Sequence, residues 1–408
     1  MRGNVVSFPG SGEYMQLPID SVTRNGGRRV LGAATRVLFG LVVLVAGVAY
    51  ADSDAASIGG TLYVGGTFTS AGGNTATNVA EWNSVNWSAL AGPNGEGTDG
   101  QVTAFTTYQG KLIVGGSFLN AGGEVVSGVA SWDGTSWQPL VGSSGAIGVA
   151  IGPLGFVHSL VVYHGDLYAA GAFPRANGVT VNNIARWNGT DWFPVTGPSG
   201  TGVLTDGSTF GAVVWDMTMV DGKLIVAGEF NTAGGVAANS IAAWDGSTWS
   251  SVGQPIAGAG VLAVTNHNGR LVASRAYAEN NISFNDVVSR DAGTWTALGR
   301  FTGNIRDLIS YNGLLVAGGQ FSQVDSLTVN QVAAWNGSAW SALSGPSAAG
   351  TNGDVFALTA HQGYLIVGGG FDQAGGQPAA NIARWNGSAW SALPGAGPDG
   401  TVFSLLST

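Results

Sequence analysis

Val402-Phe403-Ser404-Leu405-Leu406, two residues short of the end of the chain, is the stretch whose reading decides the fold. It repeats the pattern of Val355-Phe356-Ala357-Leu358, which opens one copy of a unit recurring along the chain. The first copy starts at Gly59-Gly60 and has no such segment before it. In register, Thr408 aligns with Tyr108 and Gly59 with the following Gln109, so the tail supplies the strand that the head lacks. An open array has no use for this arrangement. A ring does, because pairing its first and last units removes exposed sheet edges.

The unit itself is marked by tryptophan pairs five residues apart, at 82/87, 132/137, 187/192, 244/249, 335/340 and 385/390. A seventh copy carries Arg290 in the first place and keeps Trp295, and only Trp215 stands outside the pattern. A period of about 50 residues is that of blade repeats. Each copy reads as four short strands, a to d. In the second copy these are Val102–Tyr108, Leu112–Phe118, a segment ending at Trp132, and Trp137–Leu140. Gly occupies the a–b turn in all seven copies, and Asn-Gly or Asp-Gly the c–d turn in five, as hairpins needing positive φ require. Strand b is almost continuously apolar, which fits sheets covered on both faces. The prediction is an all-β fold: a closed seven-bladed β-propeller of four-stranded antiparallel blades over residues 58–408, its C-terminal strand completing blade 1.

Motifs such as Leu112–Phe118 (LIVGGSF), followed by Asn381–Trp390 (NIARWNGSAW), resemble the kelch and galactose-oxidase-like propeller superfamily. The Ala-Gly-Gly loops and Trp-Asn-Gly endings are similar to bacterial exported propeller repeats, and to fungal cortical polarity-marker repeats. The resemblance covers the chain from about residue 58 and implies the fold. It implies no single activity, because propellers host many.

Composition narrows the function. With 68 Gly, 14 Trp and 10% charged residues, neither a disordered nor a long-helical chain is expected. A net charge of −9 without a basic cluster argues against nucleic acid as a partner. The absence of Cys removes disulfides, thiolate metal sites and the Tyr–Cys crosslink of galactose-oxidase chemistry. Val37–Ala49 is an apolar run of 13 residues behind Arg28, Arg29 and Arg36, ahead of Ala49-Tyr50-Ala51. That is the layout of a secretory signal, with cleavage predicted after Ala51, and the run is short for a membrane span. Residues 1–51 are therefore read as an N-terminal extension plus signal, and 52–57 as a short arm. The mature protein is expected in a secreted, periplasmic or cell-surface location, as a monomer without a membrane span.

Four histidines give no zinc-like ligand spacing, and no Ser-His-Asp set can be assigned. Five Asn-x-Ser/Thr sequons occur, four of them at c–d hairpins where turn chemistry already explains the Asn. Comparing copies is sharper. Two residues after the start of strand a the residue is small in five copies, but Asp216 and Asp307 in the other two. The intervening position holds Thr103, Leu262, Phe356 and Phe403, and elsewhere His158, Trp215 and Arg306. Strand a should be innermost, so His158, Trp215, Asp216, Arg306 and Asp307 are expected to line the channel as a ligand site. Asp216 and Asp307 are possible Ca²⁺ ligands, with Arg306 or water satisfying Asp307 as the plainer expectation. The long b–c and d–a connections fall on one face. Blade five, with Ser274-Arg275 for Gly-Gly, reads as a decayed copy. The reading is an exported, non-enzymatic protein binding a glycan, peptide or surface protein through its long-loop face, without catalytic residues. The alternatives are a carbohydrate-active hydrolase or lyase using the channel carboxylates, and a purely structural envelope module.

Overall fold

The computed structural model describes residues 60–408 apart from 153–154, 206–210, 254–259, 280–281 and 346. The leader, its cleavage after Ala51 and the arm at 52–57 lie outside the described residues. No helix among the described residues is long and apolar enough to cross a membrane.

The described chain is all β. Five four-stranded antiparallel sheets follow the order a-b-c-d, as in Gln101–Tyr108, Lys111–Ser117, Val129–Trp132 and Trp137–Pro139. In the sheet of the first copy, strand a is the C-terminal Thr401–Ser407, paired antiparallel with Leu62–Thr67. Tight turns join a to b: Gly110 has φ 75° behind Gln109 at 51°, and Gly363 has φ 81° behind Gln362 at 48°. Two successive positive φ values are a type I′ turn, whose twist matches the strands. At the c–d turns Asp133, Asp245, Asn188, Asn336 and Asn386 each accept two main-chain N–H bonds on the side-chain oxygen. These Asx turns are what the recurring Asn and Asp are for, including the Asn of three sequons.

Successive inner strands touch in a cycle: Gln101–Tyr108 meets Phe156–Tyr163, that strand meets Val213–Val220, and so on through Val261–His267, Thr294–Tyr311 and Asp354–His361 to Thr401–Ser407, which meets Gln101–Tyr108. The core follows the same plan. Seven apolar clusters each lie between consecutive copies, and one unites Leu62, Val64 and Trp82 with Ile366, Ile382 and Val402. In five of the six pairs the second Trp ties neighbouring copies through its indole N–H. Trp137 donates its indole N–H to Leu90 O, Trp249 to Val195 O, Trp340 to Leu298 O and Trp390 to Leu343 O. Trp87 donates to Pro394 O, a bond between the first and last copies. Asp399 adds to that seam by accepting from the main-chain N–H groups of Thr69 and Ser70.

Copies five and six depart from the plan. Both were expected as separate four-stranded blades joined by a long d–a loop, but Thr294–Tyr311 is one continuous strand serving as d of one and a of the next. The two copies share an eight-stranded sheet. Nor is copy five simply decayed. Arg275, in place of the usual Gly, forms a buried ion pair with Asp286, and Tyr277 donates to the same carboxylate. Arg300 approaches Asp286 as well and lies over the rings of Tyr277 and Phe284. These contacts give the lengthened strands a polar seam of their own, which the tryptophan pattern does not reveal.

Every inner strand carries a one-residue irregularity of pairing near its start. The partners jump between Val102 and Ala104, Val157 and Ser159, Val214 and Asp216, Ile305 and Asp307, and Val355 and Ala357. Opposite Val402 and Ser404 the jump falls at Gly65/Gly66, and in copy five it spans Val261 to Val264. Such bulges re-aim a side chain. The residue facing each bulge on strand b is Gly in six copies, because a Cβ there meets main-chain oxygen: Asp354 O at 2.0 Å for Gly369. Gly369→Ala is therefore expected to cost about 2–3 kcal/mol in a urea titration, by straining backbone that cannot yield.

Candidate functional site

The bulges aim seven side chains inward: Thr103, His158, Trp215, Leu262, Arg306, Phe356 and Phe403. Each is half-buried while the residue before it is fully buried. Together with the residues beside them they line one cavity of about 380 Å³, to which all seven inner strands contribute. The five residues singled out by comparing copies, His158, Trp215, Asp216, Arg306 and Asp307, all line it. Because strand a begins where the d–a connection enters, this cavity lies at the end of the channel bearing the b–c and d–a connections.

One wall is aromatic. Phe156 stacks on Trp215 at 5.9 Å, and the His158 ring sits 4.4 Å from Phe156 and 4.7 Å from Trp215. The Trp215 indole N–H donates to Glu229 Oε1 at 3.1 Å, fixing the ring's orientation. Phe356 and Phe403 form a second aromatic pair at 5.0 Å. Burial pushes the His158 imidazole down to about 4, with the nearby Arg306 guanidinium adding to the effect. The ring is neutral at physiological pH.

Arg306 reaches toward Gln320. Its Nη2 donates to Gln320 Oε1 at 2.9 Å, and Gln320 Nε2 donates to Asp354 Oδ2 at 2.6 Å. A neutral amide thus separates this cation from Asp354, while burial lowers the Arg306 pKa against the pull of Asp354. The carboxylates of Asp216 and Asp307 both bond to main-chain N–H groups. Asp216 accepts from Met217 N through Oδ1 and from Val264 N of the next inner strand through Oδ2, at 2.7 and 2.8 Å. Asp307 Oδ2 accepts from Leu358 N at 2.7 Å, the equivalent position two copies on. Both staple adjacent inner strands. Among the described residues no group of three or more His, Asp or Glu side chains could hold a metal ion. Gln320 and Glu229 were missed. They follow the strand-b residue opposite the bulge, where the other copies have Thr67, Ser117, Ala172, Ala276 and Gly370, so comparing copies at that position too would have found them.

Two of the other three histidines brace the opposite end. His267 pairs with Ser310 and His361 with Ser407, each across to the following inner strand. Burial lowers the pKa of both. A histidine held neutral in the fold and protonated at its ordinary value near 6.5 when unfolded weakens the fold as pH falls from 6.5 toward the folded value, and contributes nothing above 6.5. Stability is expected to decline between pH 6.5 and 4, with His158 accounting for at most about 3 kcal/mol. Urea titrations across that range test this, with His158→Gln flattening the slope.

A family model described as a domain of unknown function (DUF5122) beta-propeller matches residues 60–88 and 221–242. No curated protein matches the chain. Among solved structures, one named "putative 6-phosphogluconolactonase" from Bacteroides uniformis is similar at 10% identity and a TM-score of 0.45, with 85% of this chain and 98% of that one covered. A Lactobacillus plantarum protein is similar at 13% identity and a TM-score of 0.42, covering 85% of this chain and 99% of that one. The architecture is that of a β-propeller.

Proposed function

We propose that this β-propeller protein is a closed wheel of seven blades, of kelch or galactose-oxidase-like type, that acts as an exported binding protein without enzymatic activity. Cleavage after Ala51 would release residues 52–408 as a monomer to the periplasm, the cell surface or the medium. It takes a glycan, peptide or surface-protein group at the channel mouth on its long-loop face. The observation that carries the reading is the convergence of the residues that break the repeat. A scaffold selected only for shape has no reason to gather His158, Trp215 and Arg306 in one cavity.

A hydrolase or lyase reading draws on Asp216 and Asp307, which line the same cavity. Their hydrogen bonds to main-chain N–H groups explain both without catalysis. Glycan and peptide arrays probed with the protein test the binding reading. Saturable binding lost in Trp215→Ala and Arg306→Gln supports it. Binding indifferent to both removes the site, and ligand turnover lost in Asp216→Asn and Asp307→Asn replaces the reading with the enzymatic one.

A further inference from the structure

We infer, on the strength of that binding reading, that the channel mouth recognises a carboxylate joined to a flat apolar group. Four of the seven bulged side chains are apolar or aromatic, and Trp215, Phe356 and Phe403 present wide rings to the cavity. The single hydroxyl among the seven, on Thr103, already donates to Val157 O at 2.6 Å. Asp216 gives both oxygens, and Asp307 one, to main-chain N–H groups. A polyhydroxylated ring would find side-chain partners chiefly at Gln101 and at the buried Ser159 and Ser404, and would lie against the aromatic rings. A flat apolar body suits the wall instead, and a volume near 380 Å³ suits one such group with a short chain.

Arg306 sets the other half of the ligand. It is the one cation among the cavity-lining residues, half-buried, and its hydrogen bond goes to a neutral amide oxygen. Asp354 stands behind that amide rather than against the guanidinium. A desolvated guanidinium held this way gains most from a carboxylate, which accepts two parallel N–H bonds in its plane. A cation would be repelled at the guanidinium itself, while the carboxylates of Asp216 and Asp307, which line the same cavity, are each held by main-chain N–H donors. The same chemistry belongs to a free arylalkanoic acid and to the C-terminus of a peptide ending in an aromatic residue.

Titration calorimetry with five probes separates these cases: 3-phenylpropionate, 3-phenylpropanamide, glucuronate, the tripeptide Gly-Gly-Phe and its C-terminal amide. The acid is expected to bind about 10- to 100-fold tighter than its amide, the range for a charge-assisted hydrogen bond. Arg306→Gln should erase that difference, while Trp215→Ala weakens acid and amide alike. Gly-Gly-Phe binding tighter than 3-phenylpropionate identifies a peptide terminus as the source, and the reverse order a free acid. Equal affinity of acid and amide, or glucuronate binding tighter than 3-phenylpropionate, overturns the inference. If an array ligand binds through Trp215 while the phenyl acids do not, only this inference fails. If nothing binds through Trp215, the binding reading fails with it.

Discussion

A chain ending at Gly400 is expected to lose cooperative folding. The missing segment supplies the inner strand of the first copy, in register with Leu62–Thr67 from Ser407 opposite Leu62 to Thr401 opposite Thr67. Val402 is fully buried there, in the cluster that also holds Leu62 and Val64. Losing it forfeits the burial of Val402, the partial burial of Phe403 and Leu405, and a ladder of hydrogen bonds, on the order of 5 kcal/mol or more. The strand left behind becomes a bare edge open to pairing with another chain. Thermal melting should show a midpoint lowered by more than about 10 °C or no cooperative transition, and gel filtration should show association. The synthetic peptide of residues 401–408 should restore part of the transition. An unchanged melt would mean that the strand is ornamental.

Trp390→Ala is expected to cost about 3–5 kcal/mol, the range for deleting a large buried aromatic side chain. Trp390 is 4% exposed, pairs with Trp385 across the c–d hairpin, and donates to Leu343 O of the preceding copy at 2.7 Å. Trp390→Phe should cost less, about 1–2 kcal/mol, because it retains apolar area but leaves the Leu343 carbonyl without its donor. Trp215→Ala is the contrast. That ring is half-buried at the channel mouth and belongs to none of the apolar clusters between copies, so its loss should change stability by less than about 1 kcal/mol. Chemical denaturation of the three variants checks the order. Equal costs for Trp390→Ala and Trp215→Ala would contradict the division between packing and site tryptophans.

Much of this was legible in the residues because a repeat reports its own geometry. If Val102, Val157 and Val355 hold one register position, then Thr103, His158 and Phe356 hold the next. Side chains that differ there must meet around a common axis, which is how His158, Trp215 and Arg306 could be grouped before any distance was known. The Gly of the a–b turns and the Asn or Asp of the c–d turns were readable because both answer to local φ and local hydrogen bonds. The bulges were hidden, since one extra residue changes pairing without changing composition. Their trace is the Gly opposite, which looks like any strand glycine until a carbonyl such as Asp354 O is seen 2.0 Å from where its Cβ would stand. The roles of Asp216 and Asp307 were hidden for a related reason. Their partners are main-chain N–H groups at Val264 and Leu358, and a sequence does not show which amide a carboxylate will reach. In copy five the missing Trp and Gly suggested loss. The replacement, Arg275 with Asp286, depends on a pairing register that only the folded strands supply.

The ring of inward side chains exists only if the two ends of the chain meet, and cysteine crosslinking measures that directly. The protein has no Cys, so a Val64→Cys, Leu405→Cys variant carries only the two thiols that matter. These positions are Cα partners in the antiparallel pairing of Leu62–Thr67 with Thr401–Ser407. Mild oxidation of the folded monomer is predicted to give one intrachain disulfide and no free thiol. Two titratable thiols in a folded monomer, or a bond formed only between chains, would contradict closure.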